Sequence, residues 1–468
     1  MSVEKKDMAE FYFREEELNK LQNFYSNEKQ KSMAIFGRRR IGKSELILHF
    51  IRNLNNAYYY QVNSLDYDAS LNDFKNVIKN NEIDSILDSL NNFKDVFSYI
   101  SNKNLFIIID EFPFLAKKNE GISLEFQSII DHFLGNNKLV LLGSNQSFMK
   151  SQIEDNSSPL YGRFDEILHL LPFSFNEVNQ LFLNNDDAMN VYALTGGIVQ
   201  YVMFFMNYSS VETAMDELYF NRNGRLFIEC GNYLNQEFKD VTTYNLILRY
   251  LASNEKKASD IAVRAKVDTR AIYNYINKLE VLDIIEEVKN PLTNSREKRY
   301  HIKDLYLRFA YTFIEPNVSM ISALGKKSKQ YILNSKFDEY LGGIYEEIIK
   351  NNLYDYALNK IIPFMPVDVG KWWGNIQQNG TYIESEIDVV GINLKDVLVG
   401  ECKYRTKKVG LKEYELLKLK SNFATKANQK VIYLLASKNG FSDDLLNLND
   451  HQLILIEKTN PVKKHTIE

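Results

Sequence analysis

The sequence predicts an α/β protein: a parallel sheet toward the N-terminus, a helical middle and a second α/β unit toward the C-terminus. Three observations carry this. Uninterrupted apolar runs at Ser32 to Phe36, Leu105 to Asp110 and Leu139 to Ser144 have the character of strands buried on both faces, as parallel strands are. Helical periodicity separates them, which is the alternation of a parallel sheet with crossover helices. Short strand patterns return from Lys371 onward, after a long helical stretch.

The elements follow in order. A charged amphipathic helix from Arg14 leads into the strand Ser32 to Phe36, a glycine-bounded turn and the helical run SELILHFIRNL. AYYYQV from Ala57 reads as a second strand, followed by the apolar runs LFIIID and LVLLGS. After Phe173 the pattern turns helical. From Tyr244 to Ile302 it reads helix, short helix, turn, longer helix and two strands flanking a polar hairpin, the pattern of a winged helix-turn-helix. Helices continue to about Leu358, then come KWWGNI, SEIDVVGI, DVLVGECKY, a helix from Leu411 and the strand VIYLLAS. The expected domains are 1–172, 173–240, 241–315 and 316–468.

Composition narrows the function classes. With 468 residues, 45% hydrophobic and 25% charged, the chain has material for more than one core. A net charge of -4 argues against a generally basic nucleic-acid binder, so any such contact must come from a local patch. Cys230 and Cys402 lie far apart and form no metal-spaced pair or disulfide framework. The opening MSVEKKDMAEFYF lacks an apolar signal core, and no run approaches the ~18 apolar residues a membrane span needs. The expectation is a cytoplasmic protein with no membrane partner.

The strongest chemical signal is Gly37-Arg38-Arg39-Arg40-Ile41-Gly42-Lys43-Ser44, which matches G-x-x-x-x-G-K-[ST] between a strand and a helix. The glycines let backbone N–H groups face phosphates, Lys43 reaches the β and γ oxygens, and the Ser44 hydroxyl binds Mg²⁺ at a helix N-terminus that favours anions. ATP with Mg²⁺ is the expected cofactor. Asp110 and Glu111, ending a buried strand, supply a carboxylate for the metal and one that polarises the attacking water. A strand merely ending in two solvated acids is the alternative. Ser144 and Asn145 end the next apolar strand, placed either to sense the γ-phosphate or simply as polar strand-end residues. Arg163 in PLYGRFDEI reads as an arginine finger or as a surface salt-bridge residue.

These motifs give a specific resemblance. Through FREEELNKL, GRRRIGKS, IIIDEFPFL, LLGS, SPLYGR and LTGGIVQYV, residues from Phe13 to about Phe313 are similar to the archaeal-type ATPases of the STAND branch of AAA+ P-loop NTPases. The resemblance implies an AAA+-like parallel-sheet fold, ATP on the P-loop, magnesium and water at Asp110 and Glu111, and a nucleotide-proximal turn at Gly196-Gly197. Two positions depart from the family: Val199 stands for its proline, and Phe13 for the glycine that precedes the arginine of the N-terminal box.

The C-terminal unit carries a second pattern. Asp388 lies in SEIDVVGI, and Glu401 and Lys403, two apart on VGECKY, project to one side of their strand. Two carboxylates on adjacent strands can hold Mg²⁺ or Mn²⁺ while the lysine positions or activates water for attack on a phosphodiester. This is the D-x(n)-E-x-K arrangement of PD-(D/E)xK nucleases, with Glu346 on the preceding helix as a third carboxylate. Acid-x-Lys is also common on solvated strands. The order helix, strand, strand, strand, helix, strand resembles the restriction-endonuclease-like domain often attached to these ATPases, in which the acid on the helix, the E-I-D turn and the ECK strand recur.

In the middle region Arg270 and Lys278 would sit on the recognition helix and Lys289, Arg296, Lys298 and Arg299 on the wing, either meeting phosphates or serving a winged helix used for packing. Two readings therefore stand. One is an ATPase coupled to a metal-dependent nuclease acting on nucleic acid, DNA ahead of RNA, with self-association if Arg163 acts in trans. The other is a nucleotide-dependent signalling or regulatory ATPase whose C-terminal domain is inert and whose winged helix binds protein or DNA.

Overall fold

The computed structural model describes residues 11–463 except 65, 80–84, 118, 120, 239, 294–297, 379 and 427. Arg296 of the expected wing therefore lies outside the described residues. The chain forms two compact units: residues 1–177, 197–210 and 277–282 make the first, and 178–196, 211–276 and 283–468 the second.

The first unit is built on five parallel strands, β1 (Ser32–Phe36), β2 (Ala57–Gln61), β3 (Phe106–Asp110), β4 (Lys138–Gly143) and β5 (Glu166–His169), in the order β2-β3-β4-β1-β5. The apolar runs are continuous because both faces are covered. Ala34, Phe36, Ile107, Ile109, Leu139 and Leu141 enter one core cluster, whereas Met33, Ile35, Phe106, Ile108, Val140 and Leu142 enter the other. That division is the two-residue period of a strand. The order sets β4 between the strand leading into the P-loop and the strand ending in Asp110, so all three carboxyl ends open on one edge, where parallel sheets bind ligands.

The second unit holds the C-terminal sheet and most of the elements expected for the winged region, the end of the helix Ile272–Val281 falling in the first. Helices Thr242–Leu251 and Ala258–Ala265 precede a three-stranded sheet of β6 (Lys256–Lys257), β7 (Ile285–Val288) and β8 (Arg299–Ile302), in the order β6-β8-β7. Beyond it, β9 (Asp368–Gln378), β10 (Thr381–Ile392), β11 (Asp396–Lys403), β12 (Lys430–Ser437), β13 (Leu453–Glu457) and β14 (Asn460–Lys463) form one mixed sheet in sequence order. β9, β10 and β11 are antiparallel neighbours, and β11, β12 and β13 run parallel. The β11 to β12 crossover is the helix Leu411–Ala424, whose Tyr414 and Leu417 pack with Val397, Val399 and Leu435. Among the described residues no helix is long and apolar enough to cross a membrane.

Candidate functional site

The loop Gly37 to Gly42 runs from the end of β1 into the helix Lys43–Ile51. A Cβ at Gly37 would sit 2.4 Å from the Leu170 carbonyl oxygen and 2.5 Å from Ile41 Cδ1, so only glycine lets the chain leave the strand here. Arg38 is buried, Arg39 half-buried, and Ile41 fills the core below the loop. Arg40 takes a left-handed backbone, φ 71°; its carbonyl accepts Gln200 N–H at 3.0 Å and its guanidinium lies 5.6 Å from the Tyr201 ring centre. Lys43, 5% exposed, donates to the carbonyls of Gly37 at 3.0 Å and Arg38 at 2.9 Å. The ammonium is thus held inside the loop, where phosphate oxygens would compete for it.

Asp110, 1% exposed, is fully engaged. Its Oδ2 accepts the Ser44 hydroxyl and the Tyr59 phenol, each at 2.5 Å, and Oδ1 accepts Glu111 N–H at 2.8 Å. Burial, then Asp110, pushes the Tyr59 phenol well above its ordinary pKa, so it stays a donor. Ser44 and Asp110 present hard oxygen donors side by side, a set that fits Mg²⁺. Glu111 adopts φ 57°, uncommon for a side chain this long, and Ser144 caps its carboxylate, hydroxyl to Oε1 at 2.7 Å and N–H to Oε2 at 3.4 Å. Asn145 caps the next helix, accepting Phe148 N–H at 2.8 Å.

Arg163 is not brought to this cluster. Its carbonyl accepts the Ser32 hydroxyl, at the end of β1 opposite the P-loop, and its guanidinium pairs with Asp131 at 3.0 Å. Within its own chain it is a salt-bridge residue.

The two departures from the family pattern have physical readings. Val199 opens the helix Val199–Met206, a first-turn position where proline is favoured because its missing N–H has no intrahelical partner, so valine leaves the geometry intact. Phe13 sits at φ 53°, in the region glycine enters freely, with its ring 5.6 Å from that of Phe173. The next residue, Arg14, ties the P-loop down by donating to Leu171 O at 2.8 Å and Ile41 O at 3.4 Å.

In the second unit Glu346, Asp388 and Glu401 come from a helix and two strands. Glu346 lies on the helix Lys329–Asn351, and Asp388 at a register shift where β10 slips against β9 between Ile387 and Val390. Such irregularities re-aim side chains near sites. Asp388, 5% exposed, accepts Cys402 N–H at 2.8 Å, which turns it toward Glu401, 7% exposed, on β11. Burial first, then Glu346 and Glu401, raise the Asp388 carboxyl well above the ordinary range. Burial also raises Glu346, against the pull of Lys371.

Three lysines offset this concentration of charge. Lys403 lies 2.6 Å from Glu401 Oε1 and 3.9 Å from Asp388, Lys420 lies 2.9 Å from Glu401 Oε2, and Lys371 lies 2.9 Å from Glu346 and 3.5 Å from Glu255. Burial lowers the Lys403 ammonium, but Glu401 and Asp388 more than offset it and leave it raised. An uncompensated buried carboxylate costs several kcal/mol, so the lysines are what permit the cluster to form. The carboxylate oxygens suit a hard divalent cation, with the lysines in those positions as the chain stands. Among the described residues no group of three or more His, Cys, Asp or Glu side chains is already spaced around a metal position.

Sequence reasoning missed Tyr59, Lys371 and Lys420. Tyr59 lay hidden among three adjacent tyrosines, and Lys420 among the lysines of the helix Leu411–Ala424. Only strand pairing and helix packing select them.

Among the described residues, the wing's cations have partners inside the unit. Lys289 pairs with Asp368 at 3.4 Å, Lys298 with Glu287 at 2.6 Å, and Arg299 lies 4.7 Å from the Trp373 ring centre. Lys371 N–H donates to Lys289 O at 2.9 Å, and Leu292 packs on the C-terminal core. The wing therefore packs on β9. Arg270 and Lys278 are exposed.

Fold and P-loop together define a P-loop NTPase. Residues 11–205 match the family described as an ATPase domain predominantly from Archaea, and residues 310–416 match a family of archaeal and bacterial proteins of unknown function. An uncharacterized protein of Methanocaldococcus jannaschii is 29% identical over 408 residues, covering 84% of this chain and 88% of its own. The Walker-type ATPase of Pyrococcus abyssi superposes with a TM-score of 0.51 at 18% identity, over 66% of this chain and 97% of its own. Residues 11–205 are thus similar to an archaeal-type P-loop ATPase domain, with the α/β parallel-sheet fold of such ATPases.

Proposed function

We propose that this ATPase is coupled, in one chain, to a metal-dependent nuclease that cuts nucleic acid, DNA in preference to RNA. The observation that carries the reading is the convergence of Glu346, Asp388 and Glu401 with Lys403, Asp388 and Glu401 being buried and Glu346 half-buried. The lysines offset this charge as the chain stands, and a divalent cation would offset it in their place. The sheet order and the crossover helix support a restriction-endonuclease-like core.

At the nucleotide site Lys43 meets the β and γ oxygens, Ser44 and Asp110 hold Mg²⁺, and Glu111 orients the attacking water once Ser144 releases or shares it. At the second site Glu346, Asp388 and Glu401 would hold Mg²⁺ or Mn²⁺, which when bound would supply neutralisation of the charge that develops in phosphodiester attack. Lys403 places the nucleophile, and Lys420 holds the far oxygen of Glu401. Arg163 would act only on the nucleotide of a neighbouring copy, which requires self-association.

One observation favours a second reading, a regulatory ATPase with an inert C-terminal domain: both Glu401 oxygens are occupied by lysines. Incubating the full chain and its Lys403→Ala and Asp388→Asn variants with linear, supercoiled and single-stranded DNA and with RNA, in Mg²⁺ or Mn²⁺, with and without ATP, separates the two. Metal-dependent cleavage lost in both variants is expected. ATP turnover without cleavage under any condition would establish the regulatory ATPase instead.

A further inference from the structure

The chain's net charge is -4, yet the segment that emerges from the candidate nuclease strand has the opposite character. From Lys403 to Lys412 the sequence is KYRTKKVGLK, with Lys403, Arg405, Lys407, Lys408 and Lys412 as cations and no carboxylate among them. Arg405, Lys407, Lys408 and Lys412 are exposed. A run of charge is often just a solvated face, but this one is fixed in place. Asn439 Nδ2 donates to Thr406 O at 2.6 Å, Val409 N–H to Gly440 O at 3.1 Å, and Ser442 N–H to Val409 O at 2.9 Å. Val409 and Phe441 bridge and are both buried. Lys438 N–H donates to Lys403 O at 3.0 Å, so the base of the loop is also held.

Among the neighbouring acids, Asp338 acts on Tyr404 at the base of the loop, and others are already engaged. Glu413 is occupied by Arg405 and by Gly410 N–H, and Asp186 pairs with Lys438 at 3.1 Å. Asp443 and Asp444 head the short helix Asp443–Leu446, directly after Ser442, whose N–H donates to Val409 O. Lys407 and Lys408 thus lie at the tip of a rigid loop of one sign, four and five residues beyond Lys403.

We propose that this loop is a clamp for the sugar-phosphate backbone of the nucleic acid held at the Asp388, Glu401 and Lys403 site, with Lys407 and Lys408 as its main phosphate contacts. The inference rests on the nuclease reading and names how its substrate is held. Four residues span at most about 14 Å. At about 3.4 Å of rise per phosphate along a strand, the lysines reach phosphates within roughly four nucleotides of the reacting one. Contacts of this kind are independent of sequence and act by releasing counterions.

The test uses the full chain and a Lys407→Ala, Lys408→Ala double variant, with binding to a fluorescent DNA duplex followed by anisotropy in EDTA over a range of salt. Each lost phosphate contact should reduce the slope of log K against log salt by about 0.9, so the slope should fall by about 1.8 and low-salt affinity by about tenfold. The calorimetric unfolding step of the second unit should be unchanged, which shows that the variant is folded there. Equal slope and affinity in both proteins would overturn the clamp. If the wild type also cleaves DNA, the clamp alone fails. If the wild type neither binds nor cleaves DNA or RNA, the nuclease reading fails and the clamp falls with it.

Discussion

Tyr59 shows how much one atom can matter at the nucleotide site. Its phenol and the Ser44 hydroxyl share Asp110 Oδ2, an oxygen of the carboxylate proposed to hold Mg²⁺. A hydrogen bond to a charged group contributes about 1.5 to 3 kcal/mol, so Tyr59→Phe should remove one of that oxygen's two donors and lower the Mg²⁺ concentration that half-saturates ATP turnover, by about tenfold or more. A rise would mean that the phenol orients the carboxylate rather than competing for it. Gly197 tests the backbone instead. It sits at φ 70°, and a Cβ there would lie 1.9 Å from Phe173 O. Gly197→Ala should destabilise the first unit by about 2 kcal/mol or more, read as a lower denaturant midpoint at unchanged m-value.

Between elements, the junction of β7, β8 and the helix Lys329–Asn351 is held by buried charge. His301 Nε2 lies 2.9 Å from Glu286, its Nδ1 3.4 Å from Glu347, and Arg308 donates to Glu347 at 2.7 Å. Burial opposes the imidazolium, but Glu347 and Glu286 outweigh it and hold His301 above its ordinary value. The protonated form therefore stabilises the fold fully below the unfolded histidine pKa of about 6.5, and that contribution disappears as pH rises through the higher folded value. The melting temperature of the wild type should exceed that of His301→Gln most at acid pH, with the gap closing on the alkaline side. A gap that widens with pH would show that the ring is neutral in the fold. Glu347 behaves oppositely: burial would raise it, yet Arg308 and His301 hold it well below the carboxylate range, so its contribution survives into acid. It neighbours Glu346 on the same helix, so the junction also fixes a residue of the proposed metal site.

For the whole molecule, two compact units in one chain should unfold in two steps. Only the first holds the P-loop, so Mg-ATP at about a hundred times its Kd should stabilise that step by about 2.7 kcal/mol and leave the other in place. Calorimetry with and without Mg-ATP, repeated on Lys43→Ala, checks this: the shift should vanish in the variant. A shift of both steps together would mean that the units do not unfold independently.

Much of this was legible in the residues. The parallel sheet was readable because its strands are buried on both faces, which writes them as unbroken apolar runs such as FIIID and VLLG. The P-loop was readable because phosphate chemistry demands glycines and a lysine at set spacing within one short segment. Asp388, Glu401 and Lys403 were visible as a local pattern, but a short acid-x-lysine signal does not say whether its side chains are buried. That depended on the β10 irregularity and on a helix 40 residues upstream in sequence. The partners of these groups were not legible at all. Tyr59 on Asp110, Lys420 on Glu401, Arg163 on Asp131 and the wing on β9 each join segments distant in the chain. Periodicity and spacing report only on near neighbours, whereas a buried charge is neutralised by whatever the packing brings beside it.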